Sequence, residues 1–155
     1  MVVGAGAMLA AAIVLVWRGR QLPASPTPSV AVIPFKTTGS GDAPWSGAGL
    51  GHEVESSLRK DTSLSVKDAN LLPATQQTAA AAGRRLGVDY VVTGTVGLRD
   101  GKHEVVVQLT RVRGEAVAWQ GTFWRAPQDV SSLADDLAAV LGDAIREDMK
   151  RRPGG

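Results

Sequence analysis

The stretch that decides the fold is residues 81–125, AAGRRLGVDYVVTGTVGLRDGKHEVVVQLTRVRGEAVAWQGTFWR. Its first predicted strand is Tyr90–Leu98, which is followed by an Asp-Gly pair at 100–101. An Asp-Gly pair between apolar runs is typical of a tight β-hairpin turn. Glu104–Arg111 is the predicted partner strand, because its Val and Leu residues alternate with polar ones. The sequence therefore predicts an antiparallel hairpin here.

A third strand is predicted to extend this hairpin into a meander. Arg113-Gly114-Glu115 forms a second tight turn, and Ala116–Trp124 follows it. Strict alternation places Val117, Trp119 and Gly121 on one face. Trp119 and Trp124 are five positions apart, so they are expected to point to opposite faces. One of them is expected in the core, and the other either covers the last helix or forms a contact site.

The residues before the meander predict two further strands and two helices. Ser29–Phe35 (SVAVIPF) reads as a strand buried on both faces, and Leu64–Val66 as a second short strand. Residues 36–51 are rich in Gly, Ser and Thr and predict a loop. The helix after it ends near Lys60, and its apolar stripe is Leu50, Val54 and Leu58.

The second helix is introduced by Pro73, runs through an alanine-rich stretch to Leu86 and is expected to stop at Gly87. A last helix begins near Asp129 or Ser131, either of which can cap it. Its stripe is Leu133, Leu137, Leu141, Ile145 and Met149, and its acidic residues fall largely off that stripe, namely Asp135, Asp136, Asp143, Glu147 and Asp148. The predicted fold class is α/β (α+β), a mixed sheet with helices in the order β-α-β-α-β-β-β-α.

This pattern resembles the TolB amino-terminal-like domain family and the related FlgO-like domains. The segments that carry the resemblance are SVAVIPF (29–35), GAGLGHEVESSLRK (47–60), LSVKD (64–68) and, most strongly, residues 81–125. The last one matches a helix ending in Gly-x-x-Leu-Gly, a strand reading Tyr-Val-hydrophobic-x-Gly, a hairpin and a tryptophan-bearing strand. Ala48-Gly49 stands where family members commonly have Asp-Gly, and members often continue into helical repeats.

The resemblance implies a domain of protein interaction or signalling in the bacterial envelope. In the family, such domains commonly follow a transmembrane helix behind a cytoplasmic kinase, cyclase or DNA-binding domain, and are thought to act on the outer side. Either a fragment of such an architecture or a short stand-alone anchored domain is compatible with this sequence.

The amino-terminal residues predict a membrane anchor. Residues 1–17 (MVVGAGAMLAAAIVLVW) carry no charge, and Arg18 and Arg20 end the run. As a helix, 17 residues would span roughly 25 Å, slightly less than a hydrocarbon core. A cleaved signal peptide is the alternative, but no positive region precedes the run, and Leu22 lies where a small residue is preferred for cleavage at Ala24-Ser25. A buried soluble helix is a third possibility.

The predicted domains are therefore an anchor at residues 1–17, a proline-rich linker at 18–28, a TolB amino-terminal-like domain at 29–150 and a disordered tail at 151–155. The positive-inside rule, applied to Arg18 and Arg20, keeps the body in the cytoplasm. The family resemblance places it in the periplasm, attached to the inner membrane by a single pass. We give the resemblance more weight.

Composition excludes several classes of function. The chain has 17 basic and 15 acidic residues, a net charge of +2, and no cysteine. Without the four arginines at positions 18, 20, 151 and 152, the body has 13 basic and 15 acidic residues, a net charge of −2. No basic face for nucleic acid is therefore predicted. The lack of cysteine excludes disulfides, thiol nucleophiles and lipid attachment through a lipobox cysteine.

A glycine run invites a nucleotide-binding interpretation. Gly47–Gly51 (GAGLG) lies between a predicted strand and helix, and Asp68 follows about twenty residues later, like an acidic ribose ligand. Eleven residues separate the run from the strand, however, and its third glycine comes one position early. Close packing of a helix after a flexible loop explains the run better. Nucleotide or small-ligand binding remains the alternative function.

Other reactive residues lack a supporting pattern. His52 and His103 have no metal-binding spacing, and His103 is expected to face water. Three serines, Ser46, Ser56 and Ser57, lack a nucleophile elbow. Arg84 and Arg85 could bind an acidic partner, although arginines in a last helical turn more often interact with the negative helix end. We therefore predict no catalytic, cofactor or metal residues, no enzyme activity, and a protein partner.

Overall fold

The computed structural model describes residues 27–39, 45–69 and 78–152, in which helices cover both faces of a six-stranded mixed sheet. The elements in chain order are β1 (Ser29–Val32), β2 (Lys36–Thr38), α1 (Gly47–Leu58), β3 (Ser65–Lys67), α2 (Ala79–Leu86), β4 (Tyr90–Arg99), β5 (Lys102–Arg111), β6 (Ala116–Arg125), a 3₁₀ turn (Pro127–Asp129) and α3 (Val130–Lys150). The sheet order is β3-β1-β4-β5-β6, and β2 also pairs with β4. The predicted order is confirmed, with one strand added.

The added strand corrects the prediction that residues 36–51 form a loop. Both β1 and β2 run parallel to β4, β1 along its start and β2 along its end. They are separated by Ile33-Pro34-Phe35, where Pro34 has no N–H to give to a ladder. The first strand is therefore one interrupted strand, and Phe35 turns its ring into the core at the interruption.

The meander formed by β4, β5 and β6 is confirmed. Asp100 and Gly101 both have positive φ, 53° and 75°, as the predicted two-residue hairpin turn requires. One face assignment is wrong. The β5–β6 pairing shifts by one residue after Leu109, because a bulge inserts an extra residue into β6. Trp119 therefore faces the core, while Val117 lies on the opposite face and is 55% exposed.

The larger core lies between the sheet and two helices, α1 and α3. The predicted stripes are confirmed. The side chains of both stripes are fully buried, on α1 those of Leu50, Val54 and Leu58, and on α3 those of Leu133, Leu137, Leu141 and Ile145. The start of α3 is confirmed at the first of the two predicted caps, because Asp129 occupies the cap position, although its side chain makes no capping hydrogen bond; Ser131 lies inside the helix.

The other face of the sheet is covered by α2, which packs on Val91 and Val112. A Cβ at Gly83 would lie 2.2 Å from the Val112 side chain, so only glycine allows this approach. Gly87 ends α2 in the left-handed conformation, as predicted. The described helix begins after Thr78, and the start predicted at Pro73 lies outside the described residues.

The predicted anchor, the linker up to residue 26 and the end of the predicted tail also lie outside the described residues. Within the described ranges, each helix is too short or too polar to cross a membrane.

Candidate functional site

The glycine run at 47–51 belongs to the first turns of α1 and packs against the backbone of Phe35. A Cβ at Gly47 would lie 2.4 Å from the Phe35 carbonyl oxygen, and one at Gly51 would lie 3.2 Å from its nitrogen. These glycines are therefore required by helix–strand packing. The prediction of close packing is confirmed, and the prediction that the run is a flexible loop is wrong.

The amides at the start of α1 already have acceptors. Gly47 donates its N–H to the Thr37 hydroxyl at 2.9 Å, and Gly49 donates to the Ser46 hydroxyl at 2.9 Å. A phosphate at this helix end would have to displace both. Asp68 lies exposed directly after β3. The run thus has a structural explanation that needs no nucleotide.

His103 is buried, which contradicts the prediction that it faces water. Its ring stacks on Trp45, with centroids 4.2 Å apart, and Trp45 in turn donates its indole N–H to the Pro127 carbonyl. Among the described residues, neither imidazole nitrogen makes a hydrogen bond of normal geometry, although the Gly97 backbone lies close enough to oppose the effect of burial in part. Burial lowers the pKa of His103, because the charged imidazolium would lose its hydration. The neutral ring acts here as a core residue.

The remaining reactive side chains do not form a catalytic or metal site in the described part of the chain. His52 is exposed on α1 while His103 is buried, and no group of three metal-binding side chains is present among the described residues. Ser46 caps α1, and Ser57 donates its hydroxyl to Asp135 at 2.7 Å. Ser56 is an exposed residue of α1.

A polar cluster ties the end of α3 to the start of β4. Asp148 accepts hydrogen bonds from the Tyr90 hydroxyl at 2.7 Å and from Arg111 at 2.8 Å. Burial alone would raise the pKa of Asp148, but these two bonds, together with the positive charges of Arg111 and Arg152, outweigh it and lower the pKa. Burial also raises the pKa of Tyr90, to about 12. All members are used in holding the helix to the sheet, so the cluster is structural.

Arg84 and Arg85 end α2, and both are exposed. Arg84 pairs with Glu115 beside a shallow depression of about 440 Å³ that Val112 and Arg113 also line. A second depression, of about 280 Å³, lies between α1 and α3 and is lined by paired side chains such as Lys60 and Asp135. Both depressions are wide open to solvent.

Among the described residues, no helix covers the outer face of the meander at β6. The helix α2 packs on β4 and touches β5, but has no substantial contact with β6. Val117 and Trp124, 55% and 44% exposed, lie on this face of β6, with the exposed polar side chains of Gln120 and Thr122 between them. The sequence predicted that Trp119 and Trp124 point to opposite faces without deciding which one is in the core, and it placed Val117 on the face of Trp119, because the bulge cannot be read from β6 alone.

We define this feature as the β6 surface, consisting of Val117, Gln120, Thr122 and Trp124 together with the unpaired side of β6. Large apolar side chains exposed on one face of a strand, with polar residues between them, are compatible with a contact site. The surface presents apolar, amide and hydroxyl groups, which are the side chains of a protein contact.

Comparison with known proteins identifies the fold. No family model matches the sequence, and no curated protein matches it. Among solved structures, TolB from Acinetobacter baumannii superposes with a TM-score of 0.60 at 22% identity over 84% of this chain, but the match spans only 30% of that TolB. A PelC dodecamer from Paraburkholderia phytofirmans gives 0.52 at 25% identity, covering 79% of this chain and 91% of PelC. The LpoB carboxy-terminal domain from Escherichia coli gives 0.51 at 15% identity, covering 72% and 93%. The resemblance to FlgO-like domains stays a prediction. The chain therefore has the fold shared by TolB-like and LpoB-like domains.

Proposed function

We propose that this chain is a non-catalytic interaction domain of the bacterial envelope, and that the β6 surface receives its protein partner. The observation that carries the proposal is the exposure of Trp124 and Val117 on a sheet face that no helix of the described ranges covers. A second support is that packing explains the glycine run at 47–51 and His103, so neither of them requires a bound ligand as its explanation. The fold, shared with TolB and LpoB, agrees with an envelope location. One protein of this fold is described as a dodecamer, so this fold can assemble with other chains.

A photo-crosslinking residue at position 124 tests the surface. In living cells we expect protein adducts from position 124 and none from position 60, where the Lys60 side chain is 71% exposed on the opposite side of the sheet. Equal yields at both positions would contradict a specific surface. Nucleotides and divalent metals added to the full chain in detergent should leave its melting temperature unchanged. A saturable rise that follows ligand concentration would instead support the small-ligand alternative.

We extend the proposal to the amino terminus, where residues 1–17 act as a single-pass anchor in the inner membrane. The run is uncharged over 17 residues, and an apolar segment of this length is more stable in the hydrocarbon core of a membrane than in water. The full chain should resist carbonate extraction, and replacing Ala12 and Ile13 with arginine should release it. Quantitative recovery of the unchanged full-length protein in the soluble fraction would contradict the anchor.

The body is proposed to lie in the periplasm, as the family resemblance implies. A phosphatase fused after Gly155 is active only when exported, so this fusion should be active. Activity of a β-galactosidase fusion at the same position would instead place the body in the cytoplasm. That outcome would agree with Arg18 and Arg20 under the positive-inside rule.

A further inference from the structure

The two edges of the sheet differ in length. One edge is β3, with three residues, and the other is β6, with ten residues from Ala116 to Arg125. Within the described ranges, β6 pairs with β5 only, so one side of its backbone has no strand beside it. Long edge strands usually carry proline, inward charges or bulges that limit further pairing. β6 has no proline, its one charged residue, Arg125, lies at its end, and its bulge lies near its start, so the stretch from Trp119 to Trp124 carries none of these features.

We propose that β6 pairs antiparallel with β6 of a second copy of this chain, which joins the two sheets across a two-fold axis near Gly121. The inference rests on the proposed function, because it names the partner of the β6 surface. Such an interface must be self-complementary, since both copies present the same residues.

The outer face of β6 meets that requirement. Its two exposed apolar side chains lie near opposite ends of the strand, Val117 at the start and Trp124 at the end. The extra residue of the bulge puts the midpoint between them near Gly121. An antiparallel copy centred there brings each Trp124 beside the Val117 of the other copy. Aromatic side chains opposite β-branched ones are a favourable cross-strand pair.

The core-facing side of β6 is self-complementary as well. Trp119 and Phe123 lie on either side of Gly121, and their rings are 6.1 Å apart within one copy. Both are only partly buried against the core. About the same axis, Trp119 of one copy faces Phe123 of the other, so four rings would gather at the centre of the interface. Aromatic residues are enriched at the centres of protein interfaces.

Charge selects the antiparallel orientation. Glu115 precedes β6 and Arg125 ends it, with no other charged residue between them. Antiparallel pairing brings each Arg125 toward the Glu115 end of the other copy, whereas parallel pairing would place like charges side by side. Glu115 already pairs with Arg84, and Arg125 pairs with Asp136. Both ion pairs are exposed to solvent, so Glu115 and Arg125 can also interact across the interface.

The native chain has no cysteine, so introduced cysteines give an unambiguous test. The proposed register puts Gln120 of one copy opposite Thr122 of the other, within the Cα separation that a disulfide spans. Full-length Gln120→Cys and Thr122→Cys chains, carrying different tags and mixed in detergent, should form a disulfide between the two tags. Ser65→Cys, exposed on the β3 edge, is the matched control and should not link to either. Failure of the 120–122 pair to link, or equal linking by position 65, would overturn the proposal.

Dimerisation can be measured independently by light scattering over a range of concentrations. Trp124→Lys should raise the dimer dissociation constant by about tenfold or more, as expected when an aromatic anchor is lost. The control is Leu98→Lys, because Leu98 is 46% exposed, like Trp124 at 44%, but lies at the β4–β5 turn. Equal effects of the two variants, or a wild type that stays monomeric, would overturn the proposal. Adducts from position 124 to a different envelope protein, together with a monomeric wild type, would retain the proposed function and reject self-pairing.

Discussion

Leu137→Ala is the most direct test of how α3 is packed. Leu137 lies at the centre of the buried stripe, is 0% exposed, and is flanked along the helix by Leu133 and Leu141, also 0% exposed. A site enclosed on all sides by rigid neighbours relaxes little when a side chain is shortened. We therefore expect a loss of about 3–5 kcal/mol in the free energy of unfolding, the upper part of the range for buried leucines. A domain of this size has a total of about 5–15 kcal/mol.

The control lies one position earlier. Asp136 is 60% exposed, and its carboxylate is 3.5 Å from Arg125. Such an exposed pair contributes about 0–1 kcal/mol, so Asp136→Ala should change stability by about 0.5 kcal/mol. Both variants are compared with the wild type by urea titration of residues 27–152, a segment we expect to fold without the anchor. Equal losses, or a larger loss for Asp136→Ala, would refute the assignment of the buried face of α3.

Three further predictions concern residues that packing or burial constrains. Burial lowers the pKa of His103 below its ordinary 6.5, so below that pH the unfolded state binds more protons than the folded state. The free energy of unfolding should therefore keep its full His103 contribution above pH 6.5 and fall below it, by at most about 1.4 kcal/mol per pH unit. His103→Phe should flatten this dependence in urea titrations, and an unchanged slope between pH 5 and 7 would contradict the assignment. Gly83→Ala should destabilise the protein, although alanine favours helices by about 1 kcal/mol, because the new Cβ would overlap Val112; a raised melting temperature would show that α2 can move away. Asp148→Ala should cost about 1–3 kcal/mol, because it leaves a partly buried Arg111 unpaired, and a loss below 0.5 kcal/mol in urea would contradict the role of this cluster.

The pH windows of two of these residues are separate. The pKa of Asp148 is lowered from an ordinary value of 3.8, so its contribution to stability is present above pH 3.8 and is lost as pH falls through the folded-state pKa. The loss expected from His103 begins below pH 6.5 instead. A pH titration of the wild type should therefore show a first loss near neutral pH and a second one in acid. The His103→Phe variant should retain only the second.

The sequence alone determined those features that local periodicity and turn chemistry specify. The stripe of α3 was predicted residue by residue from Leu133 to Ile145, because a helix repeats its faces regardless of what it packs against. The turn at Asp100-Gly101 and the stop at Gly87 followed in the same way, since few residues adopt positive φ without strain.

Only the tertiary structure decided the features that depend on residues far apart in the chain. The strand β2 exists because β4 extends beyond the break at Pro34, and the bulge that exposes Val117 arises where β5 and β6 shift register. His103 looked like a turn residue, but it is buried because Trp45, 58 positions earlier in the chain, stacks on its ring. The glycines at 47–51 were ambiguous in sequence, because glycine serves phosphate loops and close packing equally well. Their closeness to Phe35 resolved the ambiguity, since a steric requirement becomes visible only when both partners are in place.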